Sequence, residues 1–543
     1  MNKLKRAATK ITSKKNEEHR MMVAMAKTAL AQDHLASYDV WLEEKGSYTA
    51  WELSFDAENH QALVIGGFIP KLRDCLKALK LNARANSAGA LRCLSCNALY
   101  REVLLQEKVM ESMIDLAYKT AHAFEGRYDP ATGTSYLAEG DELVKLPEGS
   151  ISIPRHLGND LDQQKSMDMF VTSTEEMVLA TLTHLCESDN GRSLFEDLQG
   201  VKPSCLLLLR AGNDHVLQKA LQLMCTISEE QRLREPIVDM GVQKVYLEVI
   251  AMEDLHMRAL GLAAFSFTSL PCDPLMNIDL ARPMGKNGAC KAIIEVVRYA
   301  LGELKFNHPP APPAANAPPL RADDPQNPKN WRPKWGEDDA QQLFDILEFG
   351  STTLWNLASD SGNRHDIAEA GGVALLIELT TCDNPSAVFS AAGTFAAMAV
   401  EHSLKQIMVA QGVTPPLVTL LSSENLQVQE YAVSALCMLA TDVENRQELV
   451  DCGVLPPLID CIRQSDQSPL MAEYSAATAA SLTSLETVCH QIRDLDGLAP
   501  IIALVQGSHM QHLVYALLCL WNLGFYAENR TAIRELNGVH KCV

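Results

Sequence analysis

The chain has 543 residues, of which 47% are hydrophobic and only 6% aromatic, and its formal net charge is −21. A core built mainly from Ala, Leu, Val, Ile and Met favours helices over sheets. The acidic charge argues against general binding to a nucleic-acid backbone, which needs clustered Lys and Arg. No apolar run is long enough to cross a bilayer, and no signal peptide opens the chain. We therefore expect a cytoplasmic protein, with the nucleus, the cytoskeleton or the cilium as alternatives.

Residues 1–50 begin with a run of Lys and Arg side chains that precedes the first acid. We predict a basic N-terminal helix or a disordered arm. An organellar presequence is the alternative, but arginines are scarce and Glu17 and Glu18 follow the basic run at once.

One phrase recurs along the rest of the chain. The stretch "ENHQALVIGGFIPKL" at 58–72 is matched by "ENRQELVDCGVLPPLI" at 444–459. The glycine of this phrase recurs at Gly371, Gly412 and Gly453, at intervals of 41 residues. A fixed period of this size is the signature of a repeat architecture.

Each period predicts three helices. The phrase itself is a short first helix that ends at a glycine in the left-handed conformation. A short second helix begins at prolines, and a longer third helix has apolar residues at three- and four-residue spacing, as in "LQVQEYAVSALCMLATD". Such a unit cannot bury its apolar faces alone, so we expect consecutive units to stack.

The pattern closely resembles the armadillo repeat, most clearly at Val428, Gln429, Asn445, Arg446 and Gly453. The resemblance is strong over 340–543 and moderate over 57–117 and 175–270. It implies an all-α fold, an armadillo-type alpha-alpha superhelix that is a right-handed solenoid of three-helix repeats.

Three stretches interrupt the repeats. We predict armadillo-like repeats over 51–304, with an inserted loop at about 125–170, and further repeats over 337–543. Residues 305–336 form a proline-rich linker or loop, which could also be a hinge or a ligand for a proline-reading domain. The last repeat is incomplete, which predicts a truncated product or a missing segment.

Motifs for catalysis are absent from the sequence. It has no Walker phosphate loop, no dinucleotide-binding glycine motif and no nucleophile elbow. The pair Cys93 and Cys96 lacks a second pair for zinc, so we expect both thiols to be packed inside a helix. We therefore predict a protein that is not an enzyme, with no catalytic residues, no cofactor and no metal.

The resemblance also implies a binding surface. In armadillo proteins the third helices line a concave groove, and an Asn near the end of such a helix holds the backbone of an extended peptide. The matching residues are Asn356, Asn522 and, less closely, Asn97, with Trp355 and Trp521 beside them. An amide suits this role because it offers both a donor and an acceptor to a peptide bond.

We therefore predict a scaffold that binds other proteins, as extended segments, and that is a monomer or part of a larger assembly. One alternative is a structural component of a cytoskeletal or ciliary axonemal assembly. Another is a transport adaptor for basic cargo. The adaptor is disfavoured because Trp355 and Trp521 directly precede the Asn residues, whereas the importin alpha family places Trp four residues before Asn.

Overall fold

The computed structural model describes residues 40–78, 81–121, 126–129, 134–139, 142–145, 161–211, 213–272, 279–306, 334–464, 467–505 and 510–536. The predicted basic arm up to residue 39, residues 307–333 of the proline-rich segment, and residues 537–543 of the last repeat lie outside the described residues. The contacts divide the chain into two units, residues 1–245 and 246–543. The sequence had suggested the proline-rich segment as the place of division.

The first unit consists of consecutive helices with one small sheet. Its helices are α1 Val40–Ser54, α2 Ala57–Ile65, α3 Phe68–Cys75, α4 Leu81–Ser95, α5 Ala98–Gln106, α6 Val109–Ala121, α7 Leu161–Leu185, α8 Asp189–Asp197, α9 Val201–Leu209, α10 Asp214–Ile227, α11 Gln231–Asp239 and α12 Gln243–Ile250, which crosses the division. The third helices α1, α4, α7 and α10 pack one against the next.

The second unit repeats the same order. Its helices are α13 Leu255–Thr268, α14 Ala281–Met284, α15 Ala289–Phe306, α16 Glu337–Leu357, α17 Ser361–Glu369, α18 Gly372–Leu379, α19 Pro385–Ala399, α20 His402–Ala410, α21 Thr414–Leu420, α22 Leu426–Ala440, α23 Val443–Asp451, α24 Leu455–Arg463, α25 Pro469–Leu482, α26 Glu486–Asp494, α27 Leu498–Leu504, α28 Met510–Leu523 and α29 Ala527–Glu535. Its third helices α13, α16, α19, α22, α25 and α28 pack in sequence.

The stretch predicted as an inserted loop contains regular structure. Three strands, β1 Gly126–Asp129, β2 Thr134–Glu139 and β3 Glu142–Lys145, form an antiparallel sheet in the order β1-β2-β3. Helix α7 already begins at Leu161. This insertion and the proline-rich one share a position, because each follows a second helix and precedes a third helix.

The turn after the first helix depends on a left-handed residue. Gly371, Gly412 and Gly453 have φ of 77°, 80° and 78°, which confirms the predicted role of this glycine. Two other repeats differ from the expectation. The left-handed residues there are Gln199 and Asp496, one position before Gly200 and Gly497.

The core is aliphatic, as the composition predicted. The buried residues are mostly Leu, Ala, Val, Ile and Met, and aromatic side chains such as Phe195, Tyr246, Phe265 and Phe395 are few. The expectation for the paired cysteines was wrong in part, since Cys93 is half-buried but Cys96 is exposed at the end of α4.

The first helices bind the ends of the third helices. A helix leaves its last carbonyl groups without partners inside the helix. Here, an Arg or His six residues further along donates to one of them, at 2.7 to 3.1 Å. The clamped residues are Ser54, Ser95, Cys186, Ser228, Ala358, Ala440 and Gly524, and the donors are His60, Arg101, Arg192, Arg234, Arg364, Arg446 and Arg530. We call this contact the carbonyl clamp.

Arginines of the clamp also contact the following repeat. Arg192 pairs with Glu229 at 2.7 Å, and Arg446 donates to Ser484 Oγ at 2.9 Å. The Asn of the recurring phrase adds a bond to the neighbouring carbonyl, as between Asn445 Nδ2 and Leu439 O at 3.2 Å. The phrase therefore fixes the passage from one repeat to the next.

Replacing the clamp cation in one repeat tests this account. We expect Arg446→Ala to lower the free energy of unfolding by about 1 to 3 kcal/mol, because the carbonyls of Ala440 and Thr441 and the Ser484 hydroxyl lose their donor. Urea unfolding followed by circular dichroism measures it. The matched control is Arg534→Ala on the exposed side of α29, with an expected effect within about 0.5 kcal/mol. Equal effects of the two substitutions would contradict the clamp.

Candidate partner-binding surface

One stripe of the third helices in the second unit is left half-exposed or, on α28, exposed. In α22 this stripe comprises Glu430 and the adjacent Tyr431, followed by Ser434 and Met438 at three- and four-residue spacing. The opposite side of the helix is buried. We call the combined stripes of α16, α19, α22, α25 and α28 the third-helix face.

An aromatic cluster lies on this face and joins three successive third helices. The ring centroids of Trp355 on α16 and Phe389 on α19 are 5.3 Å apart, and each lies 5.5 Å from the ring of Tyr431 on α22. The rings meet edge to face, with interplanar angles of 84°, 70° and 64°, an arrangement that aromatic quadrupoles favour. All three side chains are half-buried.

A glycine makes room for the indole of Trp355. A Cβ atom at Gly393 of α19 would lie 2.7 Å from Trp355 Nε1, so any side chain there would displace the ring. The first unit has the same arrangement, where a Cβ at Gly89 of α4 would lie 2.5 Å from Trp51 Nε1. Trp51 is flanked by Tyr48 and Phe55, at centroid distances of 6.4 and 5.6 Å.

Sequence reasoning missed Trp51. The signal was a repeated Trp-x-Leu at the end of a third helix, in "WEL" at 51–53 and "WNL" at 355–357 and 521–523. Each of the three Trp residues lies three residues before the clamped residue of its helix, which is Ser54, Ala358 or Gly524.

The predicted Asn residues contact the preceding third helix. Asn356 is 6% exposed, and its Nδ2 donates to Ser266 O and to Ser269 Oγ, both at 3.2 Å. Asn522 is half-buried, and its Nδ2 donates to Thr483 Oγ1 at 3.0 Å and Ala480 O at 3.4 Å. These amides connect successive helices, and their contact with a bound peptide stays a prediction.

The remaining predicted residues lie elsewhere. Asn97 lies in the turn after α4, where its Oδ1 accepts from the Leu99 N–H at 3.0 Å and caps α5. Trp521 is 68% exposed beside Phe525, with ring centroids 6.2 Å apart. In the first unit, His184 holds the position of Asn356, and its Nδ1 lies 2.9 Å from Ser95 Oγ. Burial lowers the pKa of His184.

The third-helix face is acidic as well as aromatic. Helices α16, α19, α22, α25 and α28 contain no Lys or Arg. Glu348, Glu430 and Glu473 are half-buried on this face. Burial, and then the neighbouring Glu430, raise the pKa of Tyr431.

The described residues offer neither a metal site nor a membrane span. Within the described residues, no group of three or more His, Cys, Asp or Glu side chains is placed to hold a metal ion. Among the described helices, none combines the length and the apolar character needed to cross a membrane.

Comparison with known families identifies the repeats. Residues 402–441 and 442–484 match the model described as Armadillo/beta-catenin-like repeat. Residues 402–484 therefore form two consecutive armadillo repeats. The first matched repeat comprises α20 to α22 and the second comprises α23 to α25. Tyr431 lies within the first of them on α22, and Phe389 lies on α19, directly before it. The predicted repeat fold is thereby confirmed.

The chain spans only a small part of the length of two relatives that it matches. It is 26% identical over 170 residues to Outer dynein arm-docking complex subunit 2 of Bos taurus, covering 31% of this chain and 16% of that protein. It is 35% identical over 92 residues to Vacuolar protein 8 of Candida albicans, covering 17% of this chain and 16% of that protein. An engineered protein solved by the Northeast Structural Genomics Consortium covers 92% of this chain with a TM-score of 0.63 at 16% identity, which shows the fold alone.

A double-mutant cycle tests whether Trp355 occupies the space above Gly393. Gly→Ala within a helix ordinarily stabilises by about 1 kcal/mol. We expect this gain at Gly302 of α15, where an added Cβ meets nothing within 4 Å, and no gain at Gly393. In a Trp355→Ala background, Gly393→Ala should stabilise by about 1 kcal/mol as well. An equal effect of Gly393→Ala in both backgrounds, measured by urea unfolding, would contradict the contact.

Proposed function

We propose that this protein is a non-enzymatic interaction scaffold that binds an extended segment of a partner protein on the third-helix face of residues 337–482. The observation that carries the proposal is the half-exposed cluster of Trp355, Phe389 and Tyr431. Large aromatic side chains dominate the energetics of protein interfaces because they bury much apolar area at little cost in conformational entropy.

The geometry suits an extended chain. The cluster crosses three successive third helices, so a segment that lies across the helices contacts several repeats in turn. A solenoid adds many small contacts of this kind into useful affinity without a deep pocket. The armadillo repeats at 402–484 support this use of the surface.

A structural role in an axonemal assembly is the second candidate. It rests on the similarity over 170 residues to a protein named as an outer dynein arm-docking complex subunit. Under this proposal the chain stays with the cytoskeleton after detergent extraction. A protein that is fully released by detergent from ciliated cells would count against it. Cytoplasmic localisation stays a prediction in either case.

Selection from a random-peptide display library tests the proposed surface. We expect the full chain to enrich a set of peptides, and Trp355→Ala and Tyr431→Ala to lose them, because both substitutions remove rings from the cluster. Tyr299→Ala is the matched control, since Tyr299 is a 39% exposed aromatic residue on the second helix α15. Circular dichroism of each variant establishes that it is folded.

Two results would contradict the proposal. One is that no peptide is enriched by the wild-type chain. The other is that the enriched peptides bind the Trp355→Ala and Tyr431→Ala variants as well as they bind the Tyr299→Ala control.

A further inference from the structure

An acid followed by an aromatic residue recurs on the third-helix face. The pairs are Glu348-Phe349 on α16, Glu430-Tyr431 on α22 and Glu473-Tyr474 on α25. Glu348 and Glu430 lie ten residues before the clamped residues Ala358 and Ala440. Glu473 lies ten residues before Thr483, whose carbonyl accepts instead from the Cys489 thiol six residues later. The pairs therefore hold equivalent positions in their repeats. We call them the acid–aromatic row.

The row lies on the same side of the helices as the aromatic cluster. Glu348 and Trp355 are seven residues apart on α16, a spacing that places both side chains on one helical face. Tyr431 belongs to the row and to the cluster. In α19 the position of the glutamate is taken by Phe389, which belongs to the cluster too. All these side chains are half-buried.

The carboxylates of the row are not neutralised by the chain itself. In the part of the chain that the structure describes, the side chains of Glu348, Glu430 and Glu473 make no ion pair and no hydrogen bond. Acids near the first helices differ, since Glu229 pairs with Arg192 and Asp442 with Lys405. Because the chain supplies no cation to these carboxylates, they can attract a cation from outside the chain.

The aromatic members of the row suit the same ligand. Lys and Arg side chains lay their apolar stems on aromatic rings while the charged end meets a carboxylate. The chain uses such contacts internally, with the Arg258 guanidinium 5.1 Å from the Tyr299 ring and the Lys334 ammonium 5.1 Å from the Trp335 ring.

We propose that the acid–aromatic row binds Lys or Arg side chains that recur along the partner segment. This inference rests on the proposed function and names its partner as a basic segment. Neighbouring helices pack about 8 to 10 Å apart and an extended chain rises about 3.3 Å per residue. In the bound segment, the basic residues that contact Glu430 and Glu473 on adjacent helices are therefore about three residues apart. An apolar residue of the segment contacts Phe389.

The first unit provides an internal comparison. The equivalent pairs there are Glu44-Lys45 on α1, Ala85-Asn86 on α4, Glu176-Met177 on α7 and Gln218-Lys219 on α10. None combines an acid with an aromatic ring, and Lys219 reverses the charge. Basic segments are therefore recognised by the second unit and not by the first.

The test uses the full chain in the same random-peptide selection. We expect the enriched peptides to contain an excess of Lys and Arg. For the best of them, fluorescence anisotropy should show about tenfold weaker binding to the double variant Glu430→Gln/Glu473→Gln. Glu369→Gln/Glu535→Gln is the matched control, because it removes the same charge from exposed positions on the first helices α17 and α29 and should change the affinity less than about twofold.

The outcomes separate this inference from the proposed function. Peptides that depend on Trp355 but carry no excess of Lys and Arg would overturn the basic-segment inference and leave the proposed surface standing. Equal loss in the two double variants would also overturn the inference, because net charge alone would then explain the binding. Selection of no peptide that depends on Trp355 would overturn both.

Discussion

The carbonyl clamp is the contact on which the rest of the structure depends. The third helix of a repeat ends in carbonyl groups that need donors, and in seven repeats the first helix that follows supplies one from an Arg or His six residues later. The same cation then reaches the next repeat, as Arg192 reaches Glu229. One side chain thus fixes a turn and a repeat interface together, which explains why the surrounding phrase recurs almost unchanged.

Because the clamp fixes the stacking, the third-helix face is free to differ between repeats. Polar residues also stabilise the packing of successive third helices, since Asn356 and Asn522 donate hydrogen bonds to the ends of the preceding third helices. The exposed stripe carries the rings of Trp355, Phe389 and Tyr431 and the acid–aromatic row. A constant frame and a variable face are what a binding solenoid requires.

The repeat architecture could be predicted well from the sequence because it is periodic. The period of 41 residues, the left-handed glycine and the three helices could be read from spacing alone. The strands at 126–145 were not predicted because that stretch lacks a clear alternation of apolar and polar residues. The inter-helix bonds of Asn356 could not be predicted, because they depend on which atoms the stacking brings together. The equivalence of Glu430-Tyr431 and Glu473-Tyr474 becomes visible only when the repeats are aligned by the ends of their third helices.

The central claim is that partners bind on the third-helix face. Photo-crosslinking measures this directly when benzoylphenylalanine replaces Ser434, which is half-buried on that face, or Gln447, which is exposed on the first helix α23. With a peptide that the full chain selects, the account predicts a crosslink from position 434 and none from position 447. A crosslink from position 447 that equals or exceeds the one from position 434 would contradict it.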